Sequence, residues 1–253
     1  MSVAKLAVGA GLTAIVVGSG ASAFVLYVPG MPEYETIGTP STDKFGEDFQ
    51  KHFVDASTGK NKDWWEWSFK YRYYWNPAKS SEFKNLDSAD KLRGKCSTAY
   101  SQKTKTEISL DSGNTKKEYE NEVWIYCSIE GFKPITIEES NSSDDDVYKN
   151  SETSSSNLGR TKKSKLISLN DERNNKFWEI QEAAFFKDGD KEGLGNKASD
   201  ASAGFQTVYK KTTRESADTL KNACKTRYQA TSTSGDASEK ETLRFCSLQG
   251  KQD

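Results

Sequence analysis

Four cysteines offer the clearest chemistry in this chain of 253 residues, because paired thiols form disulfides and clustered thiolates bind zinc. They are Cys96, Cys127, Cys224 and Cys246. A zinc site is disfavoured, since the chain has no C-x-x-C motif and His52, its single histidine, lies outside the repeated blocks that contain the cysteines. We therefore expect disulfides, and four buried free thiols are the alternative.

Histidine and carboxylate chemistry has little support in the sequence. His52 would have to serve any histidine-dependent triad, and a lone histidine in a polar stretch is usually solvated. The chain contains neither G-x-S-x-G nor G-x-x-x-x-G-K-(S/T). Asp188, Asp190 and Glu192 match the start of a calcium loop, but its twelfth position is Ser199 rather than the bidentate glutamate that the loop requires. The sequence therefore predicts a protein that is not an enzyme and uses no cofactor or metal.

Aromatic side chains are concentrated between residues 64 and 75. Their alternation with polar residues fits a strand, whereas helical spacing also brings several of them to one face. A matching later stretch, KFWEIQEAAFF, places Phe177, Ile180 and Phe185 at helical spacing and favours a helix in both places. Core packing is the favoured role, because Trp and Tyr bury large areas. The alternative is a contact surface for sugar or membrane, formed by Trp64, Trp65, Trp67, Tyr71, Tyr74 and Trp75.

Three sequence blocks occur twice in the same order. They are NKDWWEW (61–67) and NNKFWEI (174–180), SADKLRGKCSTAY (88–100) and SADTLKNACKTRY (216–228), and EVWIYCSI (122–129) and ETLRFCSL (241–248). Chance could supply one such match, but three in order with both cysteines placed indicate an internal duplication. Repeat unit 1 is expected over residues 45–130 and repeat unit 2 over residues 160–250.

Helical spacing predicts the elements that carry the cysteines. An apolar residue, a cysteine and a tyrosine recur four residues apart and share one helix face, as Leu92, Cys96 and Tyr100 and again as Leu220, Cys224 and Tyr228. Ser-Ala-Asp precedes each helix and can cap its free N–H groups. The third block fits a final helix with the second cysteine. Each unit is therefore predicted to be a small bundle of about three helices.

The duplication selects one cysteine pairing among the three that four cysteines allow. Each unit would join its second helix to its last, through Cys96–Cys127 and Cys224–Cys246. Closing loops of this size stabilises the folded state by about 3–4 kcal/mol in the chain-entropy model. Such a staple suits a chain in which only 34% of the residues are hydrophobic.

The stretch between the units is polar and acidic. Residues 138–157 read EESNSSDDDVYKNSETSSSN, and they predict a flexible, solvated linker over residues 131–159. The basic residues from Arg160 to Lys165 are typical of a solvated surface. The net charge of the whole chain is −1, so no nucleic acid partner is expected.

The N-terminal part of the chain contains an apolar run without charge over residues 6–28. A helix that spans the hydrocarbon core needs about 20 such residues, so this run predicts a transmembrane helix or uncleaved signal anchor that binds the lipid bilayer. The alternative is a signal peptide cleaved after Ala23. Lys5 precedes the run and acidic residues follow it, which places residues 1–5 in the cytoplasm and residues from 29 onward outside. Residues 29–44 would form a juxtamembrane linker.

The chain resembles a known group of proteins in its apolar Gly- and Ala-rich N-terminus, its tandem L-(K/R)-x-x-C-x-x-x-Y blocks and its (Y/F)-C-S-(I/L) blocks. It is similar to the paralogous families of uncharacterised membrane-anchored proteins of haemotropic mycoplasmas. The resemblance covers nearly the whole chain. It implies display at the surface of a wall-less cell, for host-cell contact or immune evasion, and it transfers no catalytic residue.

These observations predict a mainly α fold, with an N-terminal transmembrane helix and two duplicated helical units, each with one disulfide. The expected function is that of a membrane-anchored surface protein with a non-catalytic, adhesion- or antigen-type role outside the cell. Its expected partners are the bilayer, through residues 6–28, and a host-cell surface or host protein ligand. The alternative is a secreted protein, released by cleavage near Ala23, with an unrecognised hydrolase activity.

Overall fold

The computed structural model describes residues 12–17, 24–109, 117–149, 156–199, 204–231 and 235–250. These residues are mainly helical, as the spacing predicts. The chain divides into two units, Met1–Lys133 and Pro134–Asp253, so the division falls within the predicted linker. The predicted cytoplasmic segment, residues 1–5, lies outside the described residues.

The described parts of the N-terminal apolar run are strands rather than the predicted transmembrane helix. Strand β1, Leu12–Val17, pairs antiparallel with β2, Phe24–Pro29, and Leu12 lies opposite Pro29. Both strands are rich in β-branched or aromatic residues, which favour extended backbone. Residues 6–11 and 18–23 lie outside the described residues. In the part of the chain that the structure describes, no helix is long and apolar enough to cross a bilayer.

Unit 1 is built from helices that carry all three of its repeated blocks. They are α1 (Phe45–Asp48), α2 (Lys62–Ser68) with a π-helical turn directly after it (Phe69–Tyr73), α3 (Ala89–Tyr100), a second π-helical turn (Thr104–Ile108) and α4 (Lys117–Cys127). Ser88 caps α3, because its side chain accepts a hydrogen bond from the Lys91 N–H. The aromatic run therefore lies on a helix, as the later copy predicts.

The core of unit 1 is aromatic. The rings of Phe53 and Trp124 lie 4.7 Å apart, and those of Phe45 and Phe53 lie 4.9 Å apart. Their side chains are fully buried, and Leu92 and Cys96 of α3 face the same core. Large rings thus provide much of the burial that a chain of low hydrophobic content needs.

Unit 2 has a comparable set of helices. They are α5 (Asp146–Lys149), α6 (Leu158–Thr161), α7 (Asn175–Phe185), α8 (Phe205–Lys210), α9 (Leu220–Gln229) and α10 (Ala237–Cys246). Short 3₁₀ turns occupy Ser143–Asp145, Glu172–Asn174 and Leu194–Lys197. The expected Ser-Ala-Asp cap is wrong for α9, because Thr219 caps this helix and Asp218 instead pairs with Lys211 at 2.5 Å.

The predicted flexible linker is in part folded. Ile137, Asp145 and Tyr148 are buried in unit 2, and the Ile137 N–H donates to the Leu166 carbonyl at 2.8 Å. A few apolar residues among the serines are enough to hold residues 134–149 against the unit. Residues 150–155 lie outside the described residues.

The predicted juxtamembrane linker, residues 29–44, also packs against unit 1. Ile37 is buried, and its N–H donates to the Phe53 carbonyl at 3.1 Å. Thr36 and Val54 form an isolated β-bridge beside this contact. Backbone pairing with residues 53–55 explains why this segment packs against unit 1. The composition of the segment does not indicate this pairing.

Candidate functional site

Both predicted disulfides are present. Cys96–Cys127 joins α3 to α4 with a Cα–Cα distance of 5.8 Å, and Cys224–Cys246 joins α9 to α10 with 5.9 Å. Both distances lie in the usual range, and all four cysteines are fully buried. The alternative of four free thiols is therefore wrong for this structure.

A buried tyrosine hydroxyl lies beside each disulfide. The Tyr100 hydroxyl donates toward the carbonyls of Val54 at 3.0 Å and Cys127 at 3.3 Å. The Tyr228 hydroxyl donates toward the carbonyls of Ile167 at 2.8 Å and Cys246 at 3.0 Å. Burial raises the pKa of both phenols well above the usual 10.0, so both stay neutral donors. Each hydroxyl thus links the backbone of the second cysteine of its unit to an extended segment, at Val54 in unit 1 and at Ile167 in unit 2.

An asparagine makes the same set of hydrogen bonds in each unit. Asn61 donates to the carbonyls of Glu35 and Asp55 and accepts from the Glu35 N–H. Asn174 donates to the carbonyls of Ile135 and Ser168 and accepts from the Ile135 N–H. A short amide can satisfy these three backbone groups at once, which explains why the first repeated block begins with asparagine.

Two buried glutamates also hold backbone. Glu122 accepts hydrogen bonds from the N–H groups of Lys79 and Ser80 and from the Ser80 hydroxyl. Glu241 accepts from the N–H of Ser199 at 2.5 Å and from its hydroxyl at 3.2 Å. Both carboxylates belong to the third repeated block, and each fixes the loop that leads toward the second block. Ser199 thus has a structural partner in Glu241, and a serine cannot supply the bidentate carboxylate that a calcium loop needs at this position.

The residues that resemble a calcium loop do not converge on a common point. Glu192 pairs with Lys187 at 2.7 Å and accepts from the Tyr209 hydroxyl, while Asp188 and Lys191 close a tight backbone turn. Within the described ranges, no group of three or more His, Cys, Asp or Glu side chains could hold a metal ion.

The expectation that His52 is solvated is wrong. Its side chain is fully buried, and Nδ1 lies 2.5 Å from Oε1 of Glu130, whose side chain is also buried. The ring meets Trp124 edge-on at 5.7 Å. Phe49, Phe53 and Val54 surround this position in sequence, and their apolar spacing is the signal that could have indicated burial.

Arg72 is a buried cation that sequence reasoning did not single out. Its guanidinium donates to the carbonyls of Ser128, Ile129 at 3.1 Å and Ile125 at 3.3 Å, all at the C-terminal end of α4. Burial lowers its pKa to about 10, although Glu130 counteracts this effect. Gly131, with φ of +75°, leaves room for the guanidinium, since a Cβ there would come within 2.8 Å of Nη2. Arg72 therefore caps the helix end from inside.

The six predicted aromatic contact residues separate into two groups. Trp64, Trp65 and Trp67 are at most 5% exposed, so core packing applies to them and a contact role is wrong. Tyr71 is half-buried. Tyr74 and Trp75 are exposed by 70% and 45%, and only these two remain available as a contact surface.

Two adjoining clefts of unit 1 share Lys60 in their lining. The first, of about 300 Å³, has several Ser and Thr residues in its lining: Thr39, Ser41, Ser57, Ser97 and Ser101. The second, of about 450 Å³, is lined by residues that include Phe69, Glu66, Asp90 and Arg93. Hydroxyl groups beside side chains of both charges can bind a polar, uncharged or zwitterionic ligand.

Charges at this double cleft are arranged around Lys60. Its Nζ lies 3.1 Å from Asp55 Oδ2 and 3.2 Å from Glu35 Oε2. Burial raises the pKa of Asp55, but hydrogen bonds from Ser57 and Lys60 outweigh it and leave the pKa below 3.8. The hydrogen bonds to Asp55 and Glu35 raise the pKa of Lys60. The ammonium thus stays charged at neutral pH and cannot act as a general base.

No family model, no curated protein and no solved structure matches this chain. The contacts of the described residues are therefore the basis for assigning a function. They show two disulfide-closed helical units, polar groups that fix backbone, and a double cleft and an aromatic pair at the surface of unit 1.

Proposed function

We propose that this chain is a membrane-anchored surface protein with a non-catalytic, adhesion- or antigen-type binding role outside the cell. The single observation that carries the proposal is that all four cysteines of the chain lie in two buried disulfides. Disulfides persist in oxidising surroundings and are rare in a reducing cytosol. This supports an extracellular position for both units.

The apolar run over residues 6–28 is the proposed anchor. An isolated pair of strands has two edges with unpaired backbone groups, and lipid offers these groups no hydrogen bonds. A helix satisfies all of them within one segment, so we infer that the run is a transmembrane helix when lipid surrounds it. Lys5 on the N-terminal side favours a cytoplasmic N-terminus.

We also propose that the two units are copies of one ancestral module. Support comes from hydrogen bonds that recur at matching block positions. The Tyr100 and Tyr228 hydroxyls bind equivalent carbonyls, Asn61 and Asn174 bind equivalent backbone groups, and the pairs Trp65–Asp55 and Trp178–Ser168 have the same indole-to-carbonyl bond. Independent sequences would rarely converge on all three arrangements.

We favour binding over catalysis because the buried carboxylates of the two units accept hydrogen bonds that stabilise the fold. Glu122 and Glu241 bind backbone, and Asp55 binds Ser57 and Lys60. The double cleft around Lys60 is the proposed contact site for a host-cell surface or a host protein ligand. The resemblance to haemotropic mycoplasma families supports this choice of partner.

Surface exposure is tested by proteolysis of intact cells combined with non-reducing peptide mapping. We expect a protease added outside to digest residues 29–253 and the map to contain both disulfide-linked peptide pairs. Resistance in intact cells with digestion in lysed cells, or free thiols in native protein, refutes the proposal. A mature N-terminus at Phe24 supports the secreted alternative instead.

The binding role is tested with the full chain and host cells. Lys60→Ala removes the cation shared by both clefts, and Lys176→Ala is the matched control, since the two lysine side chains are exposed by 46% and 49% and each pairs with a carboxylate. We expect loss of binding for Lys60→Ala alone. Equal binding by both variants and the wild type would exclude the double cleft.

A further inference from the structure

Trp75 differs from every other tryptophan of this chain in its exposure. The other five are at most 5% exposed, whereas Trp75 is 45% exposed and the neighbouring Tyr74 is 70% exposed. Their rings meet edge-on at 5.6 Å and form one apolar projection. Their backbone continues the preceding helix, because the Tyr74 N–H donates to the Phe69 carbonyl at 3.1 Å. The pair, called here the aromatic tip, therefore follows directly on the end of a helical segment.

The helix that leads into the aromatic tip contacts the residues that follow the apolar N-terminal run. The Trp67 indole N–H donates to the Pro29 carbonyl at 2.8 Å, and Arg72 Nη2 lies 4.0 Å from Met31 Sδ. The helix that bears the tip is thus attached to the first residues that follow the anchor.

The surroundings of the tip have the chemistry of a membrane interface. Lys70 lies on the turn Phe69–Tyr73, which precedes the tip, with Nζ 5.1 Å from the centre of the Tyr71 ring. Tyr and Trp concentrate at the headgroup level of bilayers because each ring has an apolar body and a polar atom, and lysine side chains reach the headgroups from the same depth.

Unit 2 lacks an aromatic pair at the matching place. In the register of the first repeated block, where Asn61 corresponds to Asn174, Tyr74 and Trp75 correspond to Lys187 and Asp188. Both of these residues are exposed and charged. The exposed rings therefore occur only in the unit that follows the apolar run, and the shared module does not require them.

We propose that the aromatic tip inserts into the headgroup region of the bilayer that holds residues 6–28, and so fixes unit 1 against the membrane. This inference rests on the proposed membrane attachment. The occupant of the tip is the lipid surface itself. A soluble partner protein at the same place would leave Trp75 out of contact with lipid.

The test uses the full chain in phosphatidylcholine vesicles whose lipids carry bromine close to the headgroup, since bromine quenches tryptophan in contact with it. The difference in emission between the wild type and Trp75→Phe reports Trp75 alone. We expect the brominated lipid to remove most of this difference signal. An unchanged signal overturns the inference.

A matched control moves the reporter to unit 2. Trp75→Phe combined with Asp188→Trp places an exposed indole at the corresponding position, and we expect brominated lipid to leave its emission unchanged. Equal quenching at both positions overturns the specific role of the tip. Flotation of the vesicles separates the two proposals: a chain that does not float refutes the anchor and the tip together, while a floating chain with unquenched Trp75 refutes the tip alone.

Discussion

Replacement of the buried tyrosine of each unit by phenylalanine gives a quantitative test of the structure. Tyr228→Phe removes the donor to the Ile167 and Cys246 carbonyls and changes the shape of the side chain little. Leaving a buried acceptor unsatisfied costs about 1–3 kcal/mol. The hydroxyl has one proton for two carbonyls, and the Cys246 carbonyl also accepts from the Ile167 N–H at 3.0 Å. We therefore expect a loss of about 1–2 kcal/mol in the free energy of unfolding of unit 2.

The same replacement in unit 1 should give a similar loss. Tyr100→Phe removes equivalent bonds to Val54 and Cys127. The assay is urea unfolding of the full chain in detergent micelles, with pulsed hydrogen exchange and mass spectrometry to follow peptides of each unit separately. Tyr74→Phe is the control, since this exposed tyrosine should change the free energy by less than about 0.5 kcal/mol. Losses no larger than that of the control would refute the role assigned to the two hydroxyls.

The pH dependence of unfolding gives a second, independent result from the same variants. Both phenols have a folded pKa above the unfolded value of about 10, so their stabilising contribution is complete below pH 10 and is lost as the pH rises through the folded pKa. Each tyrosine then lowers the free energy of unfolding by about 1.4 kcal/mol per pH unit. Tyr228→Phe should make this alkaline slope shallower for unit 2. An unchanged slope would contradict burial of the phenol.

The remaining predictions concern the disulfides, the buried arginine and the asparagines. Replacing both cysteines of one pair by alanine should cost about 3.7 kcal/mol in unit 1 and about 3.4 kcal/mol in unit 2, from separations of 31 and 22 residues. Urea unfolding, with the m-value fitted separately for each variant, checks both values. Arg72→Lys should lower the stability of unit 1 by about 2–4 kcal/mol in the same assay, because one ammonium cannot reach three carbonyls; a loss equal to that of the exposed Lys70→Ala would contradict this. Asn61→Ala and Asn174→Ala should each cost about 2–3 kcal/mol, one increment per lost hydrogen bond, and strongly unequal losses would argue against equivalent roles.

Much of the helical architecture could be predicted because its signals are local or repeated. Spacing of four residues placed Leu92, Cys96 and Tyr100 on one buried face of α3, and the structure has them there. The cysteine pairing followed from the repeated blocks, since equivalent positions should have equivalent partners. The helix at the aromatic run followed from its copy, in which glutamine and alanine favour a helix.

The burial of polar residues could not be predicted, because it depends on groups that are distant in sequence. Arg72 is buried because the carbonyls at residues 125–129 accept its N–H groups, and His52 is buried because Glu130 faces it. Residues 134–149 have the composition of a linker, yet Ile137 and Tyr148 find their partners around Leu166 and Tyr228. The composition of a segment averages over all its residues, so it does not reveal contacts that depend on one or two apolar side chains.

The double cleft was also beyond the reach of the sequence. Lys60 lies in a polar loop that has no recognisable motif, and its neighbours Glu35 and Asp55 come from separate segments. The loop is positioned by Asn61, which begins the first repeated block, although nothing in the sequence indicates its role. The helices that support the double cleft could therefore be predicted in part from the sequence, whereas the residues that line it could not.

The two disulfide-closed rings differ in size, and this bears on how freely the number of residues between the bridged cysteines can change. Extending a ring from 22 to 31 residues alters the entropy of closure by only about 0.3 kcal/mol. A change in the number of residues between the bridged cysteines thus costs little closure entropy, provided that the buried residues within each ring, such as Tyr100, Trp124 and Tyr228, are kept. The length of these stretches can therefore vary while both bridges and the buried helices around them stay the same.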